Sequence, residues 1–453
     1  MRSRTVRPLR RRDHGAGQKQ NGDGYLGSHA QVRQARRNRQ TVPHADHSYG
    51  MQHSVYAVPR EGERYPEEEK DGRKKRGILS RILVTDAQYF DYDLLLVIIF
   101  LMCLGLIMLY STSSYENGTY YFSRQALFGA ASFAVMLLVS KIDYHIYGAF
   151  SFECYLLAML LMALVQTPLG HSANGARRWI KITESLTFQP AEVMKIAIIL
   201  FISYELCRLG NKAHTREGAV RVFAFGIAAT LGVRYLTDNL STAIIVLAIT
   251  CILYFVVHPK LKPFLAMVAG GFVMLFVLIS FLSASISESD NFRLSRIITW
   301  LDPENHTDTG GFQVMQGLYA IGSGGFFGKG LGNSTQKLGV IPEAQNDMIL
   351  AIVCEELGVF GSIIILLLFG LLLYRLMFIA RNAPDLYGSL VATGIFAHIA
   401  LQVILNVMVV TNTIPTTGIT LPFISYGGTS VLFLMVEMGI ALGIARKIKI
   451  KEM

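Results

Sequence analysis

Ten stretches rich in apolar residues dominate residues 94–445, most of them near the roughly 20 residues that a helix needs to cross a bilayer. They run at 94–112, 125–140, 144–165, 190–208, 218–235, 240–257, 261–283, 348–377, 388–410 and 424–445. Lipid offers no hydrogen bonds to an open backbone, so such stretches are expected to be helices of an all-α, polytopic membrane protein. The charge content agrees. Charged residues make up 16% of the chain, against about 25% in a soluble domain. Cys103, Cys154, Cys207, Cys251 and Cys354 all fall in apolar runs without metal-type spacing. They are read as reduced, buried small hydrophobes.

The basic residues orient the spans. The 1–81 segment holds 19 Lys and Arg against 9 Asp and Glu, while 82–453 holds 23 of each. The whole net charge of +10 therefore sits in the tail. That tail is polar and lacks an apolar run, so it is expected to be disordered. Arg73, Lys74, Lys75, Arg76 and Arg81 suit a cytoplasmic anchor on anionic lipid. Nucleic-acid binding is not expected, because nothing aromatic or folded accompanies the charge. The short basic connections at 141–145, 208–221, 258–262, 375–381 and 446–451 fall on one side when both termini are cytoplasmic. The domain division expected is a tail at 1–81 and a ten-helix membrane domain at 82–453. Two segments, 166–189 and 284–347, then lie outside, the second a long loop between spans seven and eight.

Five constellations carry possible chemistry. Asn174-Gly175-Ala176-Arg177-Arg178-Trp179-Ile180-Lys181 puts three cations and an indole beside a membrane face. Guanidinium forks grip phosphate oxygens, and ordinary headgroup contact fits equally. Gln189-Pro190-Ala191-Glu192 opens span four, with Glu192 and Lys195 on one helix face; a structural ion pair is as good a reading as a wet cavity. The glycine run 322–332, followed by Asn333 and Ser334, lacks any nucleotide-site context. Gln336-Lys337 and Pro342-Glu343-Ala344-Gln345-Asn346-Asp347 lead into span eight. A carboxylate at that helix start is either a cap or a general base, with Glu343 a rival to Asp347. Glu355 and Glu356, deeper in span eight, read as buried and paired. Leu421-Pro422-Phe423-Ile424-Ser425-Tyr426-Gly427-Gly428 forms an irregular entry to span ten, which is tolerated only against protein or a wet cavity.

In this order, NGARRWI, QPAE with Lys195, GLGNS with QK, PEA with Asp347, EELG and LPFISYGG resemble the SEDS family, the cell-shape, division and sporulation proteins FtsW, RodA and SpoVE. The resemblance runs from about residue 92 to 447, and the PEAQND and EELG segments lean towards the division type. Three places depart from the family pattern: Gln345-Asn346 replaces His-Thr, Asn239 stands where an acid is usual, and Thr417 where many division members carry lysine.

The resemblance implies a ten-helix inverting glycosyltransferase. It would polymerise the undecaprenyl-pyrophosphate-linked disaccharide-pentapeptide, lipid II, at the outer face of a bacterial cytoplasmic membrane. It implies Asp347 as the general base and carries Arg177, Arg178 and Lys195 over by motif; from their own chemistry and position, Trp179, Lys181, Glu192, Lys337, Glu343, Ser425 and Tyr426 are also expected around the substrate. A class B penicillin-binding protein and other division proteins at the septum are the implied partners. No resident metal is expected, since no acidic cluster marks an all-protein site; magnesium or manganese at the pyrophosphate is left open. A lipid II flippase, an elongation polymerase of the RodA type and a non-catalytic scaffold are the alternatives.

Overall fold

The computed structural model describes residues 89–113, 120–173, 176–183, 186–258, 292–305, 311–337, 341 and 344–449, with a few positions between 262 and 270. The 1–81 tail, Glu343 and most of the expected span 261–283 lie outside the described residues. In chain order the elements are α1 (Tyr92–Ser113), α2 (Tyr120–Val139), α3 (Tyr144–Ala149), α4 (Ser151–Leu164), β1 (Gly170–Ala173), β2 (Ala176–Thr183), β3 (Leu186–Phe188), α5 (Pro190–Leu209), α6 (Arg216–Leu236), α7 (Leu240–Val257), α8 (Phe292–Leu301), α9 (Gly311–Gly324), α10 (Ile349–Asn382), α11 (Leu386–Val410) and α12 (Thr429–Ala445).

Among the described residues, six helices are long and apolar enough to cross a membrane: α1, α2, α6, α7, α10 and α11. α4 and α12 are apolar but shorter. α5 has the length but carries Glu192, Lys195, Glu205 and Arg208. Leu127, Leu138 and Leu367 are 72%, 61% and 67% exposed on helix faces. Such outward apolar faces fit a multi-pass protein solvated by lipid.

Local chemistry sets the helix ends. Pro190 begins α5, where its missing N–H costs nothing. Asp385 caps α11 through the Gly388 amide at 2.7 Å. Asn239 caps α7 through the Thr242 amide at 3.0 Å, a task an amide oxygen performs as well as a carboxylate.

Three expectations are corrected. The span at 144–165 is two helices, α3 and α4, meeting at Phe150. The fold is not purely α, because 170–188 makes a three-stranded antiparallel sheet in the order β1-β2-β3. Ile180, Ile182 and Thr183 suit a strand, and Ile180 pairs with Gly170 on one side and Phe188 on the other. The 284–347 segment, expected as one long loop, contains the helices α8 and α9.

α9 runs beside the start of α10, with Gly317 against Met348 and Gly324 against the Cys354 carbonyl. There α10 breaks at Gly358, where φ is 70° and ψ is −170°. Glycine is required twice at this position: L side chains avoid that conformation, and a Cβ would lie 2.3 Å from the Phe326 carbonyl. The chain at 325–330 pairs with the broken helix. The Lys329 and Gly330 amides donate to the Glu355 and Glu356 carbonyls at 2.9 Å each, and the Val359 and Phe360 amides donate back to Gly325 and Phe326 at 3.1 and 3.0 Å. The break thus leaves these groups bonded rather than bare in an apolar setting.

Buried polar contacts tie the helices. Arg375 of α10 holds Asp91, at the start of α1, at 2.9 Å. His398 of α11 holds Glu437 of α12 at 2.8 Å, both almost fully buried.

Candidate active site

Asp347 lies in a turn at 344–348, one residue before Met348, the N-cap of α10. The residue is half-buried at the N-terminal end of that helix. Gln313 of α9 reaches Asp347 Oδ1 at 3.5 Å. Gly418 also lies near this carboxylate: its φ of +69° suits glycine, and an added Cβ would lie 4.0 Å from Asp347 Oδ2. The main-chain carbonyl of Asp347 accepts from Asn406 Nδ2 at 2.9 Å.

The irregular chain at 411–428 forms the wall beside this carboxylate. Its carbonyls have no helix partners, so side chains supply donors. Trp300 of α8 donates to Asn412 at 2.9 Å and Arg296 to Thr416 at 3.2 Å. Ser241 of α7 donates to Thr417 at 2.9 Å. From α11, Asn406 donates to Ile419 at 2.7 Å and Gln402 to Thr420 at 3.1 Å. The Tyr426 amide donates to Gln345 at 2.9 Å, which fixes the wall to the segment that carries Asp347.

Glu192 and Lys195 do share one face of α5 and pair at 3.0 Å. Lys195 is 2% exposed and also donates to Gln402 Oε1 at 3.3 Å. The pair therefore reaches the 411–428 wall through Gln402. Ser425 is buried, and its hydroxyl accepts from the Leu421 amide at 2.8 Å, closing the turn at 421–425. Tyr426 is half-buried, with its ring edge-on to Tyr121 at 4.9 Å.

The basic cluster lies on β2. His171 pairs with Trp179 and Ser172 with Arg177, which leaves Arg178 as the extra residue of a bulge. A bulge re-aims side chains that would otherwise alternate strictly. Arg177 donates one guanidinium nitrogen to the Thr167 carbonyl. Arg178 and Trp179 are half-buried and Lys181 is exposed. Thr429, at the start of α12, donates to the Thr187 carbonyl of β3 at 3.1 Å. The sheet thus abuts the same end of the bundle as the 411–428 wall.

Lys337 stands elsewhere. Its ammonium is buried against Glu356 Oε1 at 2.8 Å and Ser111 Oγ at 2.9 Å. In this structure its charge is paired with an inner carboxylate. Glu355 and Glu356 are both fully buried and paired. Lys329 Nζ reaches Glu355 at 2.6 Å, with Ser334, Thr335 and the Gln336 amide around the same carboxylate. The glycine-rich stretch and the EELG stretch are two halves of one buried network. Glu343, the rival base, lies outside the described residues.

Sequence reasoning missed Gln313, Gln402 and Asn406. The last two are four apart on α11, one above the other on a helix face, and that spacing within an apolar run was the available signal. Among the described residues, no group of three His, Cys, Asp or Glu side chains comes together as a metal site.

Comparison with known proteins fits this arrangement. A family model described as FTSW_RODA_SPOVE, cell cycle protein, matches residues 92–450. Stage V sporulation protein E of Bacillus subtilis is 39% identical over 364 residues, covering 78% of this chain and 97% of that protein. The probable peptidoglycan glycosyltransferase FtsW of Trichlorobacter lovleyi is 34% identical over 370 residues, covering 80% and 94%. A chain from a structure of a peptidoglycan synthase complex, described as coordinating polymerization and crosslinking, superposes with a TM-score of 0.64 at 26% identity, covering 79% of this chain and 98% of that one. The rod shape determining protein RodA of Thermus thermophilus superposes at 0.56 and 24% identity, covering 80% and 99%, and shares the fold. With the match running over nearly all of the membrane domain, this chain belongs to the FtsW/RodA/SpoVE family of cell cycle proteins.

Proposed function

We propose that this protein is a peptidoglycan glycosyltransferase that polymerises lipid II into glycan strands at the outer face of the bacterial cytoplasmic membrane, during cell division. The observation that carries this reading is the setting of Asp347. A carboxylate at a helix start is held by its own main chain to Asn406 and flanked by Gln313 and a glycine, on a segment bonded to the irregular wall.

The chemistry follows from those groups. Asp347 takes the proton from the acceptor sugar's hydroxyl as that oxygen attacks the donor's anomeric carbon. The bond from that carbon to the pyrophosphate oxygen breaks, and undecaprenyl pyrophosphate leaves with the electron pair and the developing negative charge. Arg177 and Arg178 meet that charge. A guanidinium has five donors, so the bond from Arg177 to Thr167 leaves it others for phosphate. Lys181 at the sheet surface adds a point charge, and Trp179 sits at the headgroup level. The Glu192–Lys195 pair supports the wall through Gln402 rather than touching phosphate. A magnesium or manganese ion arriving with the pyrophosphate would add positive charge there.

In this reading the membrane domain crosses the bilayer ten times with both termini in the cytoplasm, as the distribution of Lys and Arg supports. Crosslinking of the product falls to a class B penicillin-binding protein at the septum. One of the similar structures comes from a peptidoglycan synthase complex, which supports that partnership.

The test is reconstitution with purified lipid II and the partner, comparing wild type with Asp347→Asn. Glycan polymer from the wild type, and a loss of about a hundredfold or more in the variant, supports the reading. Lipid scrambling without polymer from the wild type makes the protein a flippase.

A further inference from the structure

Asn406 sits four residues before the end of α11 and is fully buried. Its side-chain amide nitrogen donates twice, to the Asp347 carbonyl at 2.9 Å and to the Ile419 carbonyl at 2.7 Å. Both acceptors belong to non-helical chain: Asp347 to the turn before α10, Ile419 to the wall. The two partners are carbonyl oxygens, which cannot donate, so the amide orientation is fixed by chemistry. Its Oδ1 faces inward without a hydrogen-bond partner. A buried amide oxygen left bare is costly, so the site favours asparagine for its two donors despite that cost. Neither leucine, which has no donor, nor aspartate, which would set a carboxylate against two carbonyls, can replace it.

We propose that Asn406 is a positioning residue for the glycosyl transfer: it fixes the main chain of Asp347 against the 411–428 wall and so sets where the carboxylate meets the acceptor hydroxyl. This rests on the reading of Asp347 as the general base. Asn406 touches no reacting atom. Its effect passes through the peptide of Asp347, whose side chain has two torsions between backbone and carboxylate. A main-chain shift is therefore transmitted to the carboxylate nearly in full. A displacement of about 1 Å at a reacting group lowers rate by roughly a hundredfold. Donor capture by the basic strand, on β2, does not pass through this link.

The experiment uses the full-length protein with its partner and purified lipid II, and measures kcat and KM for Asn406→Leu, Asn406→Gln, Asp347→Asn and the double variant Asn406→Leu with Asp347→Asn. Leucine keeps the volume and removes both donors. The expected result is a fall in kcat of about 10- to 100-fold, with KM for lipid II within roughly threefold of wild type and partial recovery in Asn406→Gln. On the Asp347→Asn background the leucine change should cost less than about threefold, because a residue that acts through the base has nothing left to position. A full multiplicative loss in the double variant, or a loss confined to KM, overturns the proposal by making Asn406 a packing or binding residue. Wild-type kcat in Asn406→Leu with an inactive Asp347→Asn overturns this proposal alone. Near-normal turnover in Asp347→Asn overturns the general-base reading instead. Should the leucine protein not purify as a single species, Asn406→Ser, which keeps one donor on a shorter arm, enters the same comparison with the same outcomes deciding.

Discussion

Replacing Lys337 with methionine separates a structural cation from a substrate ligand. The ammonium is enclosed by Glu356 at 2.8 Å and Ser111 at 2.9 Å, and the residue is 9% exposed. Methionine approximates the stem and deletes the charge, which leaves the Glu356 carboxyl fully buried without its counter-charge. Breaking a buried pair by removing one partner costs about 3–5 kcal/mol. Glu356 would retain Ser111 Oγ at 2.7 and 2.8 Å and the Ser334 amide at 3.4 Å. Those contacts place the loss near the lower end, about 3 kcal/mol, or roughly a hundredfold in the folded-to-unfolded ratio. Adding Glu356→Gln removes the uncompensated charge while keeping an acceptor for Ser111, so the double variant should regain at least half of the loss. Thermal unfolding of detergent-purified protein measures both steps. Kinetics below the unfolding range measure KM for lipid II, which should stay near wild type. A Lys337→Met protein as stable as wild type but with KM raised tenfold would refute the reasoning and return Lys337 to the substrate.

Three further outcomes are expected. Changing Arg177 and Arg178 together to lysine keeps the charge but loses the planar fork, and should raise KM for lipid II about tenfold with normal expression; unchanged kinetics would leave the cluster as headgroup contact. Deleting residues 1–70 should preserve polymerisation in a correctly inserted protein and alter localisation at most, which a polymer assay and fluorescence imaging check. At the other end of the bundle, His145 bonds Asp385 at 3.1 Å and Asp143 at 2.8 Å. The hydrogen bond to Asp385 leads in raising its pKa above the ordinary value, against a smaller opposing effect of burial. Its contribution to stability is therefore complete below pH ~6.5 and lost as pH rises through the raised value. The thermal midpoint should fall across that window, and His145→Gln should flatten the fall.

Much of the helical framework could be read from the sequence because a bilayer imposes one length and one composition on every spanning helix. The boundaries of α1, α6, α7 and α11 follow directly from that rule. It failed where an interruption is local. Phe150 does not look like a break inside an apolar run, and Gly358 marks one only because residues 325–330 come alongside. The sheet at 170–188 was hidden for a related reason: a short strand gives few alternations to count, and Arg177-Arg178-Trp179 contains a bulge that spoils even those.

Residue type and order by themselves determined the membrane-protein class, the family, and which acids are buried rather than reactive: Glu355 and Glu356 lie in an apolar helix, where a lone charge is too costly to leave unpaired. Sequence could not say which cation serves which acid. Lys337 reaches Glu356 across 19 positions and Ser111 across 226, and no local periodicity records such a pairing. The same holds for Asn406, which sequence shows as one amide in an apolar helix and the fold shows as a clamp across 59 positions to Asp347 and 13 to Ile419. Hydrophobic burial is a property of each segment and is written along the chain. Hydrogen-bond partners are a property of two segments brought to about 3 Å, and only the packed bundle decides them.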